Sequence, residues 1–303
     1  MSVEQLINYF TITNRGESTK TLYIKLLQQL YGKDKPFKSL AFLKKKDEII
    51  DKLKDYKPNT KKTYLIAIVS ALDYVKDKKD YKSLYKKYHE EMMQLANKIT
   101  EESQTVKPLP DNWVSWTDVL KHYEELKQKK DQGYDDLLKY VVLSLYVLVP
   151  PRRNLDYQVM NVVQKYNPSL PKDRNYFSIT DRKFYFNFYK TAKSFDQQVL
   201  RVPDDLFEIL TDYLKSHPIL VGKPIDADTN TPLLVYSNGN ELKQVNSITR
   251  ILHKVFGKNV GSSMLRHSYL THKYGGVINE MKDDAEKMSH STETQREYVM
   301  RTE

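Results

Sequence analysis

The sequence predicts a mainly α-helical protein with one small antiparallel β-sheet, an α+β fold divided into two domains. Three observations predict it. Apolar residues recur at helical spacing through most of the chain, as in KPNTKKTYLIAIVSALDYV, where Leu65, Ile68, Val69, Leu72 and Val75 form one stripe. Residues 175–202 alone change period: NYFSI, KFYFNFY and QVLRVP are rich in aromatic and β-branched residues and read as three strands separated by TDR and KTAKSFD. Between the helical stretches, TEESQTVKPLPDN (100–112) is polar, bears prolines and has no apolar period. It separates a helical domain of residues 1–99 from a second domain of residues 113–303.

The elements follow in order. Residues 1–98 read as helices, and Asn59 or Thr60 can cap the one that carries the apolar stripe. In the second domain SWTD (115–118) offers a capping box for a first helix. LLKYVVLSLYVLV (137–149) is shorter than the ~20 residues of a membrane span and is interrupted by Lys139, so it reads as a buried helix. Pro150 and Pro151 stop it. After the strands, helices are expected at 204–216, 245–256, 263–274 and 281–288, with Gly275-Gly276 ending the third. No internal repeat or low-complexity tract is visible.

Composition narrows the function. The chain of 303 residues is long enough for two cores, and its 40% hydrophobic and 29% charged residues let it fold and stay in solution. Its net charge of +10 favours an anionic partner. Residues 1–100 hold 21 Lys and Arg against 12 Asp and Glu, a balance of +9, whereas the remaining 203 hold 28 against 27. Lysines at 44–46, 61–62, 78–79 and 86–87 surround the first helical set. One such cluster is an ordinary solvated face; their accumulation in one domain points to a surface that meets phosphates. The absence of cysteine excludes disulfides, thiolate catalysis and Cys-based zinc sites. MSVEQLINYF lacks the basic and apolar regions of a signal peptide.

Four segments carry candidate chemistry. In PPRRNLDY (150–157) two arginines follow a helix stopped by prolines, with Asp156 three residues after Arg153 and able to hold that guanidinium; rigid arginine forks suit phosphate oxygens. YKTAKSF puts Lys190 and Lys193 in a tight turn between strands. In SSMLRHSYLTHKYGG, Ser262 or Ser263 can cap a helix. Arg266 and His267 then sit near its N-terminus, where the dipole favours an anion, and Leu265, Tyr269 and Leu270 face inward. In HSTETQREYVMRTE, Thr294 and Glu297 form a capping box, so a short helix starts near Gln295 with Tyr298 in its first turns. An unbroken helix would separate His290 from Tyr298 by ~12 Å along its axis, and the polar break at 291–294 allows them to converge. Taken singly, each segment is also what an ordinary surface arginine, lysine or tyrosine looks like.

In their order, these segments resemble the tyrosine recombinase (phage integrase-type) family. There an R-x-x-[ED] motif follows a buried helix, as Arg153 to Asp156 does; a β-hairpin lysine comes next, then H-x-L-R-H, G-H-S and the nucleophilic tyrosine. SSMLRHSYLTH and MSHSTETQREY resemble the last motifs closely. The resemblance spans the chain broadly, since the family has a basic helical domain before the catalytic one. PPRRNLDY and YKTAKSF look most like the branch found in eukaryotic mobile elements and large DNA viruses. It implies a two-domain clamp on double-stranded DNA, with no cofactor and no dependence on metal or ATP. It also implies a homotetramer on DNA and a monomer or weak oligomer without it, no membrane, and an intracellular location where DNA is accessible. Tyr298 would attack a phosphodiester to give a 3′-phosphotyrosyl bond and a free 5′-hydroxyl. Arg153 and Arg266 would neutralise the pentacoordinate phosphate, Lys190 (or Lys193) would protonate the leaving oxygen, and His290 would hydrogen-bond the phosphate or assist proton transfer.

The sequence departs from the family pattern in three places. Ser263 stands where the first histidine of H-x-x-R belongs, and serine accepts no proton near neutral pH, so His267 or His290 would have to serve as base. The spacing from His290 to Tyr298 is one residue short of the commoner pattern, and five residues follow Tyr298 where many relatives have a longer exchanged helix. Two other readings share these residues: a type IB topoisomerase that relaxes DNA, and a DNA-binding relative without catalysis. As a recombinase, the protein would act in integration or excision of a mobile or viral element.

Overall fold

Residues 2–32, 34, 36–104, 109–226 and 229–299 are described by the structure, a computed structural model. The chain divides into two compact units, Met1–Pro108 and Leu109–Glu303. The sequence-predicted linker at 100–112 contains this division, although helix continues into its first residues and its positions 105–108 lie outside the described residues.

The first unit is helical: α1 (Val3–Ile12), α2 (Glu17–Tyr31), α3 (Lys46–Lys52), α4 (Pro58–Asp73) and α5 (Lys79–Gln104). Ser2 caps α1 in a reciprocal box with Gln5. The stripe read from the sequence is the heart of this core: Leu65, Ile68 and Leu72 are wholly buried, with Val69 and Val75 nearly so. Pro58, not Asn59 or Thr60, begins α4, with Lys57 as its N-cap. Proline suits the first helical position, because its missing N–H would have no partner there anyway and its fixed φ is already helical. Tyr88 of α5 is fully buried and donates to the Leu43 carbonyl at 3.0 Å.

The lysine clusters differ. Lys44, Lys45 and Lys46 pair with Asp80, Glu48 and Glu91. Among the described residues, Lys61, Lys62, Lys78, Lys79, Lys86 and Lys87 form no ion pair.

The second unit adds α6 (Trp116–Lys129), α7 (Tyr134–Val147), α8 (Asn154–Gln158), α9 (Ala192–Phe195), α10 (Asp204–Lys215), α11 (Ser247–Phe256), α12 (Ser262–Lys287) and α13 (Thr292–Tyr298). Its strands are β1 (Met160–Val163), β2 (Asn175–Ser178), β3 (Lys183–Phe186), β4 (Gln198–Arg201) and β5 (Thr231–Pro232), in spatial order β4-β3-β2-β1-β5. The fold is mainly α with one small sheet, an α+β class. The three predicted strands are β2, β3 and β4, paired antiparallel with Phe177 opposite Phe184 and Phe184 opposite Leu200. Two further strands extend the sheet: β1 runs parallel to β2, and β5 antiparallel to β1.

α7 is apolar on nearly every side and packs against α6, α10 and α11, which is the environment such a helix requires. Its buried Ser144 hydroxyl donates to the Tyr140 carbonyl at 2.7 Å, and Lys139 reaches out to Asp136. It ends at Val147, ahead of the two prolines. α6 starts as expected, with Ser115 Oγ accepting from the Asp118 N–H.

Gly275 and Gly276 do not end a helix: α12 runs through them to Lys287. Each glycine costs about 1 kcal/mol relative to alanine within a helix, which the turns on either side outweigh when no proline removes a hydrogen bond. Gly261, rather than Ser262 or Ser263, is the N-cap of α12. Leu265 is buried as expected and Tyr269 packs edge-on to Trp116 at 5.2 Å, but Leu270 lies outward, 49% exposed.

Candidate functional site

Arg153 stands as the extended N-cap residue of α8, directly after the two prolines. The short helix is pinned by Asn154, whose Oδ1 accepts from the Tyr146 hydroxyl at 2.7 Å and whose Nδ2 donates to Thr249 Oγ1 at 2.8 Å. Both ends of that link lie on core helices, α7 and α11, so the arginine pair is mounted on rigid elements.

Asp156 does not hold Arg153. Its Oδ2 accepts from Arg152 Nε at 2.8 Å, while Arg152 NH1 donates to Gln198 Oε1 of β4 at 2.9 Å. The Arg152 guanidinium lies over the Phe186 ring at 3.8 Å and near Tyr189 at 5.5 Å. The reason is local: Arg153 has non-helical backbone as the N-cap, so it leaves the face on which Asp156 projects, whereas Arg152 reaches back across it. Arg152 is therefore a buttress joining α8 to the sheet. Sequence reasoning missed this role, although the i,i+4 spacing of Arg152 and Asp156 was a visible signal.

Arg153 and Arg266 line one cleft of about 220 Å³, together with Pro151, Arg152, Asp156 and Gln198. Tyr189, Thr191 and Phe195 of the β3–β4 connection complete its wall. Arg266 comes from the second turn of α12, anchored by the buried Leu265 and by Tyr269 on Trp116. Among the described residues neither Arg153 nor Arg266 makes a side-chain hydrogen bond or ion pair. Burial pushes the Asp156 carboxyl above its usual range, and the charges of Arg152, Arg153 and Arg266 oppose that rise. Asp156 Oδ1 is buried without a partner. With Asp156 ionised, three guanidinium groups face one carboxylate and the cleft keeps a surplus of two positive charges. That arrangement suits an anion with several oxygens.

Lys190 is exposed between two lining residues, Tyr189 and Thr191. The connection is not a tight turn: it carries α9, on which the exposed Lys193 sits. Ser263 and His267 are exposed on the first turns of α12 and do not line the cleft.

His290 and Tyr298 meet each other rather than the cleft. Their ring centroids are 5.8 Å apart, because the chain turns between α12 and α13. Ser291 caps α13 by accepting from the Thr294 N–H, so this helix begins at Thr292, ahead of the capping box expected at Thr294 and Glu297. His290 Nδ1 lies 3.1 Å from the Ser291 carbonyl, which can only accept, so Nδ1 donates there, and Nε2 lies 3.1 Å from Met288 Sδ. Tyr298 is 71% exposed. Arg301, which shares the polar C-terminal stretch, lies outside the described residues.

No protein-family model matches the sequence, and no curated protein sequence matches it. Among solved structures, the crystal structure of XerA recombinase is similar over 99% of this chain and 93% of its own, with 14% sequence identity and a TM-score of 0.35. A likeness that slight carries no argument about fold or function.

Proposed function

We propose that the protein binds double-stranded DNA and breaks and rejoins a strand by transesterification, as a tyrosine recombinase acting on a mobile or viral element. The observation that carries the reading is the meeting of two unpaired arginines, one from α8 and one from α12, at a cleft with surplus positive charge. They are the two arginines that the sequence motifs single out.

The proposed chemistry balances without a co-reactant. The Tyr298 oxygen bonds to phosphorus as its proton passes to a base, and the bond from phosphorus to the 5′-oxygen breaks. Lys190 gives that oxygen a proton, leaving a 3′-phosphotyrosyl ester and a 5′-hydroxyl. Arg153 and Arg266 bind the nonbridging oxygens and offset the charge that grows in the transition state. His290 is the better base than His267, since its ring accompanies that of Tyr298. Attack by a 5′-hydroxyl reverses the step, and the ester conserves the energy of the broken bond. The unpaired lysines of the first unit would hold the flanking duplex.

Covalent trapping on nicked duplexes drawn from DNA flanking the gene tests this reading. A 3′-linked protein–DNA product in wild type and none in Tyr298→Phe is the expected result. A second reading, DNA binding without cleavage, is favoured by one observation: Tyr298 is not among the residues of the cleft. Binding to the native flanks with no covalent product would establish it instead.

A further inference from the structure

We infer that Phe195 stacks on a DNA base next to the phosphate held by Arg153 and Arg266, so that the duplex opens locally beside the cleaved bond. The inference rests on the proposed function and adds how the site grips the nucleotide that adjoins the phosphate. Phe195 ends α9 and lines the arginine cleft, yet it is 63% exposed. A lone exposed aromatic residue is ordinary. This one shares the cleft with Arg153 and Arg266, which among the described residues make no side-chain hydrogen bond or ion pair. Cations that meet a phosphate, beside a ring that offers a flat apolar face, are the two parts of a site for an unpaired nucleotide. A base inside a duplex is covered on both faces by its neighbours. The ring can therefore stack only on a base that has left the helix, and it replaces one of the contacts that base gave up.

The fold holds this ring in place. Asp196, the next residue, has φ 50° and ψ −157°, a backbone conformation adopted almost only by glycine. Two bonds maintain it: the Asp196 N–H donates to the Ala192 carbonyl at 2.9 Å, and the Tyr189 hydroxyl donates to the Asp196 carbonyl at 2.6 Å. Tyr189 is buried, and the Arg152 guanidinium lies 5.5 Å from its ring. Asn175 of β2, wholly buried, ties the same connection to the helix that follows Arg153. Its Nδ2 donates to the Asp156 carbonyl of α8 at 2.7 Å and to the Phe188 carbonyl at 2.9 Å. Its Oδ1 accepts from the N–H groups of Asn187 and Phe188, both at 2.8 Å. α8, the start of the β3–β4 connection and the turn behind Phe195 are thus linked as one piece. A phosphate seated on Arg153 consequently has its own nucleotide, or the next one, beside the exposed ring.

A cycle of paired changes in protein and DNA tests the inference. Phe195→Ala, Phe195→Leu and Phe195→Trp are compared with wild type for binding to the nicked duplexes drawn from DNA flanking the gene. Urea unfolding checks that these exposed substitutions leave the fold intact. The duplexes are then made with one abasic site each, moved one position at a time through the bound region. On intact DNA, Phe195→Ala is expected to weaken binding by about 5-fold or more, the effect of losing one base stacked on an aromatic ring. Phe195→Leu, apolar but without a ring, should behave like Phe195→Ala, and Phe195→Trp like wild type. Phe188→Ala is the control, since Phe188 is 43% exposed on the same connection but does not line the cleft, and it should bind as wild type does. At one abasic position, next to the phosphate marked by the wild-type covalent product, wild type and Phe195→Ala should bind equally, because the base that the ring holds is gone. Equal binding on intact DNA, or a loss that persists at every abasic position, would overturn the inference and leave the proposed chemistry to stand on its covalent product. No binding of the duplexes by wild type would remove both.

Discussion

Arg152 and Arg153 are adjacent and identical, yet their surroundings predict opposite consequences when each is replaced by alanine. Arg152 closes a buried ion pair with Asp156, whose side chain is 3% exposed, bonds Gln198 and lies 3.8 Å over Phe186. Removing it leaves both oxygens of a buried carboxylate without a partner, since Oδ1 already has none. Breaking a buried pair from one side costs about 3–5 kcal/mol, and the lost cation–π contact lies within that range rather than beyond it. Arg153 makes no such bond, so Arg153→Ala is expected to change stability by no more than about 0.5 kcal/mol while removing a guanidinium from the cleft. The assay is urea unfolding followed by tryptophan fluorescence. Trp113 and Trp116 are the only tryptophans in the chain and both belong to the second unit, so the signal reports the unit in question. Adding Asp156→Asn to Arg152→Ala is expected to recover part of the loss, because a neutral amide is less costly to bury than an unpaired charge. Equal destabilisation by the two single variants would refute the assignment of Arg152 as buttress and Arg153 as ligand-facing. So would a cost below about 1 kcal/mol for Arg152→Ala.

Three further outcomes are expected. His217 is fully buried, and burial holds its ring below the usual histidine range; in its neutral form Nδ1 accepts from the Ile219 N–H while Nε2 donates to the Pro232 carbonyl. Below the ordinary histidine pKa of about 6.5 the unfolded chain takes up a proton that the folded chain refuses, so stability falls as the pH drops from 7.5 to 5.5, by at most ~1.4 kcal/mol per pH unit for this one group; His217→Gln should flatten that slope in urea unfolding. Lys86→Ala or Lys87→Ala should each lower the slope of log K against log salt for duplex binding by about 0.9, whereas Lys46→Ala, already paired with Glu91, should leave it unchanged. Gly275→Ala with Gly276→Ala should stabilise α12 by about 1 kcal/mol per site, since a Cβ at 275 meets only Thr271 Cγ2 at 3.7 Å and one at 276 meets open space. The stiffened helix should keep cleavage activity; its loss would mean that α12 must bend at the glycines to deliver Tyr298.

What the sequence revealed depended on the range of the interactions involved. The stripe on α4, the buried α7 and the β2–β4 meander are local periodic patterns, so they could be read directly. β1 and β5 could not. MNVV follows α8 after the single residue Val159 and pairs in parallel with β2, and β5 is two residues long and ends in proline, which an edge strand tolerates. The glycine pair misled because it marks a helix end only when the chain needs a left-handed residue there, and neither glycine has positive φ. The candidate residues could be named from their motifs, but not how the fold groups them. Whether Asp156 bonds Arg152 or Arg153 depends on which of them is the N-cap. Whether Tyr298 lies near Arg266 depends on whether α12 continues past Gly276.

The charge of the cleft ties fold to function. Holding Arg153 and Arg266 near Arg152 with Asp156 as sole counter-charge is costly, because like charges repel and partial burial weakens the screening between them. The fold bears that cost through elements that have no freedom to relax it: α8 is locked by Asn154 between α7 and α11, and the start of α12 by Leu265 in the core. A phosphodiester carries one negative charge and two nonbridging oxygens, so it would supply one of the two missing counter-charges and an acceptor for each free guanidinium. Because the donors are already held in place, the proposed reaction would not require them to reorganise at each turnover. In the proposed reaction, the charge added to the phosphate in the transition state would then meet an excess of positive charge that the ground state leaves only partly neutralised. An arginine pair mounted this rigidly would, in that reaction, bind the reacting phosphate more tightly as its charge grows, which is the difference that accelerates a reaction.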